Sequence, residues 1–426
     1  MKLKITINKS SGLNGEIVIP PDKSISHRSA MFLALTGGKA EIKNFSMGAD
    51  CISTLNIIKS LGCEADFLAE RHLVIDAKNA FSKELYNLDC GNSGTSMRLF
   101  SGILASKPNI EAVLYGDESL SKRPMRRVII PLELMGAKIK HKDFRSPLTV
   151  IGNELYPIDY KTPIASAQVK SCILLAGLDT YGETKVTEPY ISRNHTERML
   201  EYLEADIKTE GNTVKIKKSQ LCPKNISVCG DISSAAFFMV AAAITPNSDI
   251  VIKNVGLNPT RTGIVDVLKS MGADIEILDS RIECNEEVGD IRIKTSELKG
   301  ITIEGEIIPR LIDELPVIAV AATQAEGTTI VKDAGDLRNK ESDRIKCLVS
   351  ELKKIGAHIE ETQDGFIIEG KTQLSGDCEV ECYHDHRLAM SLYTAALTCQ
   401  KPVQINEFQW VDISFPEFLP LMESLF

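Results

Sequence analysis

Aromatic side chains are scarce in this chain, at 5% with Trp410 as the single tryptophan, so a stacking platform for single-stranded nucleic acid has little to be built from. A formal net charge of −9 withholds the positive surface that phosphate backbones require. Local basic clusters must therefore answer to a small anion, and no nucleic-acid partner is expected. No apolar run reaches 18 residues, and MKLKITI leads straight into a strand pattern with no signal peptide, which predicts a soluble cytoplasmic protein without membrane contact. Low-complexity tracts are missing too, leaving no disordered tail. The eleven cysteines are odd in number, and Cys63, Cys172 and Cys347 stand in apolar or strand contexts, so they read as reduced core thiols rather than a disulfide frame. Cys378, Cys382, His384 and His386 fit no zinc spacing, and the alternation before them reads as a strand entering a helix; no metal is expected.

What the chain does contain is 43% hydrophobic residues over 426 positions, enough for two or three domains with substantial cores. The stretch PPDKSISHRSAM sets the plan. Pro20-Pro21 stops a strand, Asp22 caps, and Ser24 to Leu35 is predicted helical with an apolar later half. Lys23, Ser24, His27 and Arg28 fall at the helix opening, where unpaired N–H groups and the positive end of the dipole favour a phosphate or carboxylate. The competing reading is an N-cap with solvated charges.

Five more segments share that polar opening and small-residue apolar body: CGNSGTSMRLFSGILA, SAQVKSCILLAGL, GDISSAAFFMVAAAI, LIDELPVIAVAATQAEG and HDHRLAMSLYTAAL. Anchored on Lys23, Asn92, Ser166, Asp231, Asp313 and Asp385, they recur at intervals of 69, 74, 65, 82 and 72 residues, a sixfold internal repeat. In phase with it runs an amphipathic helix that ends at Gly62, Gly136, Gly272 or Gly356, or at Glu204 in the third copy, followed by a two-stranded pattern. The sixth such helix is predicted in FPEFLPLMESLF, with its strands supplied by the N-terminal KLKITINKS and GEIVIP. The termini are then neighbours.

Three units per domain fit best: residues 20–229 for units one to three, and 1–19 plus 230–426 for units four to six, with the chain crossing between them near 19–22 and 229–231. Within unit two, GNSGTSMR puts glycines around hydroxyls and an amide at a helix start, and GDESLSKRPMRR carries Arg123 on a loop fixed by Pro124. Unit three offers Ser166, Gln168 and Arg193, the parts needed to hold a polyhydroxylated phosphate ester, while Thr196 with Glu197 reads as a cap. The later half differs in chemistry. Asp313 and Glu314 sit at a helix start; Lys340, Glu341, Asp343 and Arg344 precede the next helix, where the bland alternative is an exposed ion-pair ladder; Arg387 follows in DHRLAM.

In their order, PPDKSISHR, GNSGTSMRL, GDESLSKRPM, SAQVKS, SRNHTERM, GDISSA, DELP, NKESDR and DHRLAM closely resemble the 5-enolpyruvylshikimate 3-phosphate synthase family, from Lys4 to the C-terminal FPEF. The resemblance implies a two-domain inside-out α/β barrel of six βαβαββ-type units, helices inside and sheets outside, hinged at the crossovers near 19–22 and 229–231, with the active site in the inter-domain cleft, that closes on its ligands. It implies transfer of the enolpyruvyl group of phosphoenolpyruvate to the 5-hydroxyl of shikimate 3-phosphate through a tetrahedral ketal, with release of phosphate, no metal or organic cofactor, and a monomer. Carried over position by position, Lys23, Ser24, Arg28, Ser166, Gln168, Arg193, Asp313 and Lys340 resemble the shikimate 3-phosphate shell. Lys23, Gly94, Arg123, Gln168, Arg344 and Arg387 resemble the phosphoenolpyruvate shell. Asp313 and Glu341 are the proton-carrier candidates, with Lys23 at the departing phosphate. Ile413 departs from the pattern, since enterobacterial and plant members carry lysine there. Gly94 keeps the glycine that leaves room for glyphosate, so competition between glyphosate and phosphoenolpyruvate is expected. Two alternatives stand beside this reading. A UDP-N-acetylglucosamine enolpyruvyl transferase shares the repeat but usually carries a cysteine in the unit-two loop, where Gly116 to Arg127 has none; a non-catalytic phosphate-binding repeat protein has no use for Lys23, Asp313 and Glu341 together.

Overall fold

The computed structural model describes residues 3–426. The chain divides into two compact units. A terminal unit takes the described residues up to Pro20 with Cys229–Arg281 and Glu287–Phe426; a central unit takes Pro21–Val228 with Ile282–Glu286. Among the described residues the strands form six sheets, five of four strands and one of three. The second repeat shows the plan: Leu85–Asp89 pairs in parallel with Glu111–Tyr115, which pairs antiparallel with Arg145–Ile151, itself flanked by Lys138–Lys142. The parallel pair needs a crossover, and the apolar helix Gly94–Ala105 supplies it.

In the terminal unit the helices Ile232–Ile244, Leu315–Gln324 and His386–Ala396 are buried almost throughout and pack on one another, with their sheets outside. A helix apolar all round belongs inside. Phe415 and Phe418, from the C-terminal FPEF, close this core against Phe238 at ring distances of 5.9 and 5.6 Å. In the central unit Gly94–Ala105 and Ala167–Gly177 approach so closely that a Cβ on Gly102 would lie 2.2 Å from the Cys172 carbonyl oxygen. Only glycine fits there.

The amphipathic helices end as their glycines predict. Gly62, Gly136, Gly272 and Gly356 have φ of 104, 92, 99 and 107°, and Glu204 takes the same left-handed position at 71°. Strand exchange differs from expectation. Ile5–Ile7 does complete the sixth sheet, antiparallel to Val403–Asn406, but Asn14–Val18 pairs in parallel with Asp249–Gly256 of the fourth repeat. The fourth repeat begins directly at Gly230 and has no strand ahead of its helix, so the edge of Asp249–Gly256 has to be paired from elsewhere. The first repeat has the same gap, and Ile226–Ser227 fills it beside Lys39–Lys43. Both chain ends are tied into the terminal unit, where Asn14 donates its N–H to the Leu425 carbonyl at 2.8 Å.

Candidate active site

The central unit carries a cationic cluster of candidate residues. Lys23 opens the helix Lys23–Leu33, which Asp22 caps by accepting from the Ile25 N–H at 2.8 Å, and its ammonium pairs with the Asp50 carboxylate. Ser24, half-buried, gives its carbonyl to Arg28 Nη1 at 3.1 Å. Arg28 is buried, with Nε donating to Thr196 Oγ1 at 2.7 Å and Nη2 to Ser171 Oγ at 3.0 Å. Its fork thus knits two neighbouring helices to its own.

Two expectations fail here. His27 is no anion ligand: it shares the buried face of Ala30 and Met31, its Nδ1 lies 2.6 Å from Thr54 Oγ1, and burial, aided by Lys23, pushes its pKa down to about 3. Thr54 continues to Ser96 at 2.6 Å, and Ser96 to Ser93 at 2.8 Å, so His27 braces the next turn. Nor do Thr196 and Glu197 cap a helix. His195–Tyr202 starts after Asn194 without a side-chain cap, while Thr196 serves Arg28 and Glu197 meets Lys170 at 2.7 Å. Buried cations have the stronger claim on those acceptors.

Around Gly94, Arg123 Nη2 donates to Asn92 Oδ1 at 2.8 Å, and Arg98 Nη1 to Gln168 Oε1 at 2.6 Å. Gln168 in turn donates Nε2 to Thr95 Oγ1 at 3.0 Å. A Cβ on Gly94 would stand 2.9 Å from Arg98 Nη1 and 3.6 Å from Arg123 Nη1. Lys23, Gly94 and Gln168 are thus seated at helix starts of one unit, and Arg123 directly follows the short helix Glu118–Lys122, with Arg98 as a further cation at this place. Arg193, half-buried, directly precedes the start of His195–Tyr202.

The terminal unit carries an acidic cluster of candidate residues, centred on one buried guanidinium. Arg344 is 1% exposed. Its Nε donates to Asp385 Oδ2 at 2.8 Å, Nη1 to Asp313 Oδ1 at 3.2 Å and Nη2 to Glu341 Oε2 at 2.5 Å. Burial alone lowers its pKa, but the three carboxylates outweigh that and hold it above the ordinary arginine value, permanently charged. Lys340 Nζ stands 3.4 Å from Asp313 Oδ1, and Arg387 Nη1 donates to the Asp313 carbonyl at 3.2 Å. Glu341, Lys340 and Arg344 therefore form a buried-centred cluster rather than an exposed ladder. Ile413 lies at the end of the short 3-10 turn Phe408–Ile413.

Dipole-positive turns contribute less than the sequence implied. Asp22, Ser93, Asp231 and Asp385 each turn a side chain onto the first turn of their own helix, occupying the place an anion would take. The helix Ala167–Gly177 has no side-chain cap of its own, and the Glu188 carboxylate accepts the Ser166 N–H at 2.8 Å instead. Asp385 marks the sixth repeat in the sequence, but its hold on Arg344 does not show there; Glu188 and Lys170 stand as single charged letters in strand-like or apolar text and carry no spacing signal.

A family model described as EPSP synthase (3-phosphoshikimate 1-carboxyvinyltransferase) matches residues 7–422. Proteins named 3-phosphoshikimate 1-carboxyvinyltransferase are similar over their whole length. That of Petrotoga mobilis is 48% identical over 99% of each chain, that of Bacillus licheniformis 50% over 98% of each, and that of Thermodesulfovibrio yellowstonii 51% over 98% of this chain and 99% of its own. The solved EPSP synthase of Acinetobacter baumannii superposes with a TM-score of 0.88 at 43% identity, covering 99% of this chain and 98% of that one.

Proposed function

The chain belongs to the EPSP synthase family, and we propose that its cationic and acidic halves divide the family's reaction between them. The family moves the enolpyruvyl group of phosphoenolpyruvate onto shikimate 3-phosphate in the shikimate pathway, and this chain is such a 3-phosphoshikimate 1-carboxyvinyltransferase. Both substrates are anions rich in phosphate and carboxylate oxygens. In the proposal, Ser24, Arg28, Ser166, Gln168 and Arg193 serve shikimate 3-phosphate, with Asp313 and Lys340 at its ring hydroxyls. Lys23, Gly94, Arg123, Gln168, Arg344 and Arg387 serve phosphoenolpyruvate.

The chemistry needs two proton movements in opposite directions. The 5-hydroxyl oxygen adds to C2 of phosphoenolpyruvate and gives up its proton, while the methylene carbon takes one and becomes a methyl group. The tetrahedral ketal then loses a methyl proton and expels phosphate, which restores the double bond. Asp313 and Glu341 carry these protons, and Lys23 neutralises the departing phosphate. The observation behind this reading is the shared guanidinium: Asp313 and Glu341 both accept from Arg344, at 3.2 and 2.5 Å. That fork fixes two carboxylates of one unit in register for paired transfer.

We further propose that residues 1–19 with 230–426 and residues 20–229 act as two domains that close on shikimate 3-phosphate through crossovers near 19–22 and 229–231, because ligands so small need contacts from both sets at once. Phosphate release from phosphoenolpyruvate tests the function: it should require shikimate 3-phosphate, and UDP-N-acetylglucosamine should not replace it. Release with the nucleotide sugar alone would overturn the reading.

A further inference from the structure

We propose that Glu188 is a positioning residue: one buried carboxylate that fixes both the Ser166 turn and the Ser192–Arg193 turn, and so sets the grip on shikimate 3-phosphate. The inference rests on the assignment of Ser166, Gln168 and Arg193 to that substrate. Glu188 ends no helix and touches no surface, being 3% exposed. Its Oε1 accepts the backbone N–H of Ser166 at 2.8 Å. Its Oε2 accepts the Ser192 N–H at 3.2 Å and the Ser192 hydroxyl at 2.8 Å. The two turns lie 26 residues apart in the chain and meet on this one side chain.

The arrangement answers a local need. Ser166 does not cap its own helix, so the residue before the first turn of Ala167–Gly177 is oriented from outside. A carboxylate accepting two backbone N–H groups and a hydroxyl has most of its lone pairs engaged in directed bonds. Lys170, 2% exposed on the same helix, pairs with the carboxylate, with Nζ 2.8 Å from Glu188 Oε2 and 2.7 Å from Glu197 Oε1. Lys170 Nζ also reaches the Ser192 carbonyl at 3.4 Å. Glu188 thus joins helix start, loop and buried cation, whereas the hydrogen-bonded contacts of Glu197 run to Lys170 and to neither turn.

That difference makes Glu197 the matched control. Glu188→Gln keeps the shape but turns one acceptor oxygen into an amide NH2, which donates and cannot accept an N–H. Steady-state kinetics should show KM for shikimate 3-phosphate raised about tenfold or more, in line with losing one or two charge-assisted bonds, with KM for phosphoenolpyruvate changed less than about threefold. Glu197→Gln removes the same charge from the same ammonium and should leave both KM values within about threefold. Should Glu188→Gln fail to fold, Glu188→Asp, which retains charge but shortens the reach, should show the same selective rise. Equal KM changes in the Glu188 and Glu197 variants, or an unchanged KM for shikimate 3-phosphate at a lowered melting temperature, would reduce Glu188 to a buried structural ion and overturn the proposal. Those outcomes are read only against a wild type that turns over, so loss of the functional reading itself shows separately, as wild-type silence with shikimate 3-phosphate.

Discussion

Asp385 holds Arg344 and Arg387 at once: Oδ2 accepts from Arg344 Nε at 2.8 Å, and Oδ1 accepts the Arg387 backbone N–H at 2.9 Å. One carboxylate, wholly buried, therefore fixes the Arg344 guanidinium and the backbone at Arg387, the two arginines proposed for phosphoenolpyruvate in this unit. Ser342 Oγ donates to the same Oδ2 at 3.0 Å, so the loop before the helix Arg344–Ile355 is fixed by it as well.

Asp385→Asn should unsettle that group. Removing one partner of a buried ion pair costs about 3–5 kcal/mol, here eased by the two remaining carboxylates on Arg344. A lowered melting temperature together with a KM for phosphoenolpyruvate raised more than that for shikimate 3-phosphate is expected. Equal rises would show that Asp385 does not act through the two arginines.

Gly94→Ala places a methyl group 2.9 Å from Arg98 Nη1, so the guanidinium must move and its bond to Gln168 must lengthen. The cost is a displaced side-chain end, not a backbone clash, so the fold should survive. About a tenfold rise in KM for phosphoenolpyruvate corresponds to the loss of about 1.4 kcal/mol. Arg98→Ala beside it should make the added effect of Gly94→Ala small, because coupled residues do not add. Fully additive effects in that pair would contradict the mechanism.

His27 makes a prediction about pH. In the unfolded chain it titrates near 6.5, in the folded protein near 3. The unfolded state thus binds the extra proton first, and the stability that comes from keeping the ring neutral is complete above pH 6.5 and drains away as pH falls toward 3. The slope is about 1.4 kcal/mol per pH unit. Urea unfolding at pH 7 and pH 5 should therefore show the wild type losing about 2 kcal/mol more than His27→Gln. Equal losses would place the histidine in water.

Much of the fold was legible in the sequence because the repeat is written in residues with one physical role. Gly62, Gly136, Gly272 and Gly356 all occupy left-handed positions that terminate amphipathic helices, and Glu204 marks the same place without glycine's ease. The strand Asn14–Val18 was not legible: its partner at Asp249–Gly256 lies over 200 residues away, and no local pattern encodes which edge a short strand will choose. The site divides in the same way. Motif letters located Lys23, Gly94, Gln168, Asp313 and Glu341, but motifs do not say which way a guanidinium turns. Arg28 and Arg344 are buried and spend their forks on protein acceptors, and the side chains that brace them, Thr196, Ser171 and Asp385, are visible only in three dimensions.

Asp313 bears most directly on the proposed proton transfers. Phosphate release from phosphoenolpyruvate with saturating shikimate 3-phosphate, compared between wild type and Asp313→Asn, should show kcat reduced about 10²–10⁴-fold, the range expected when a positioned proton carrier is lost. A variant that releases phosphate at near the wild-type rate would contradict the account.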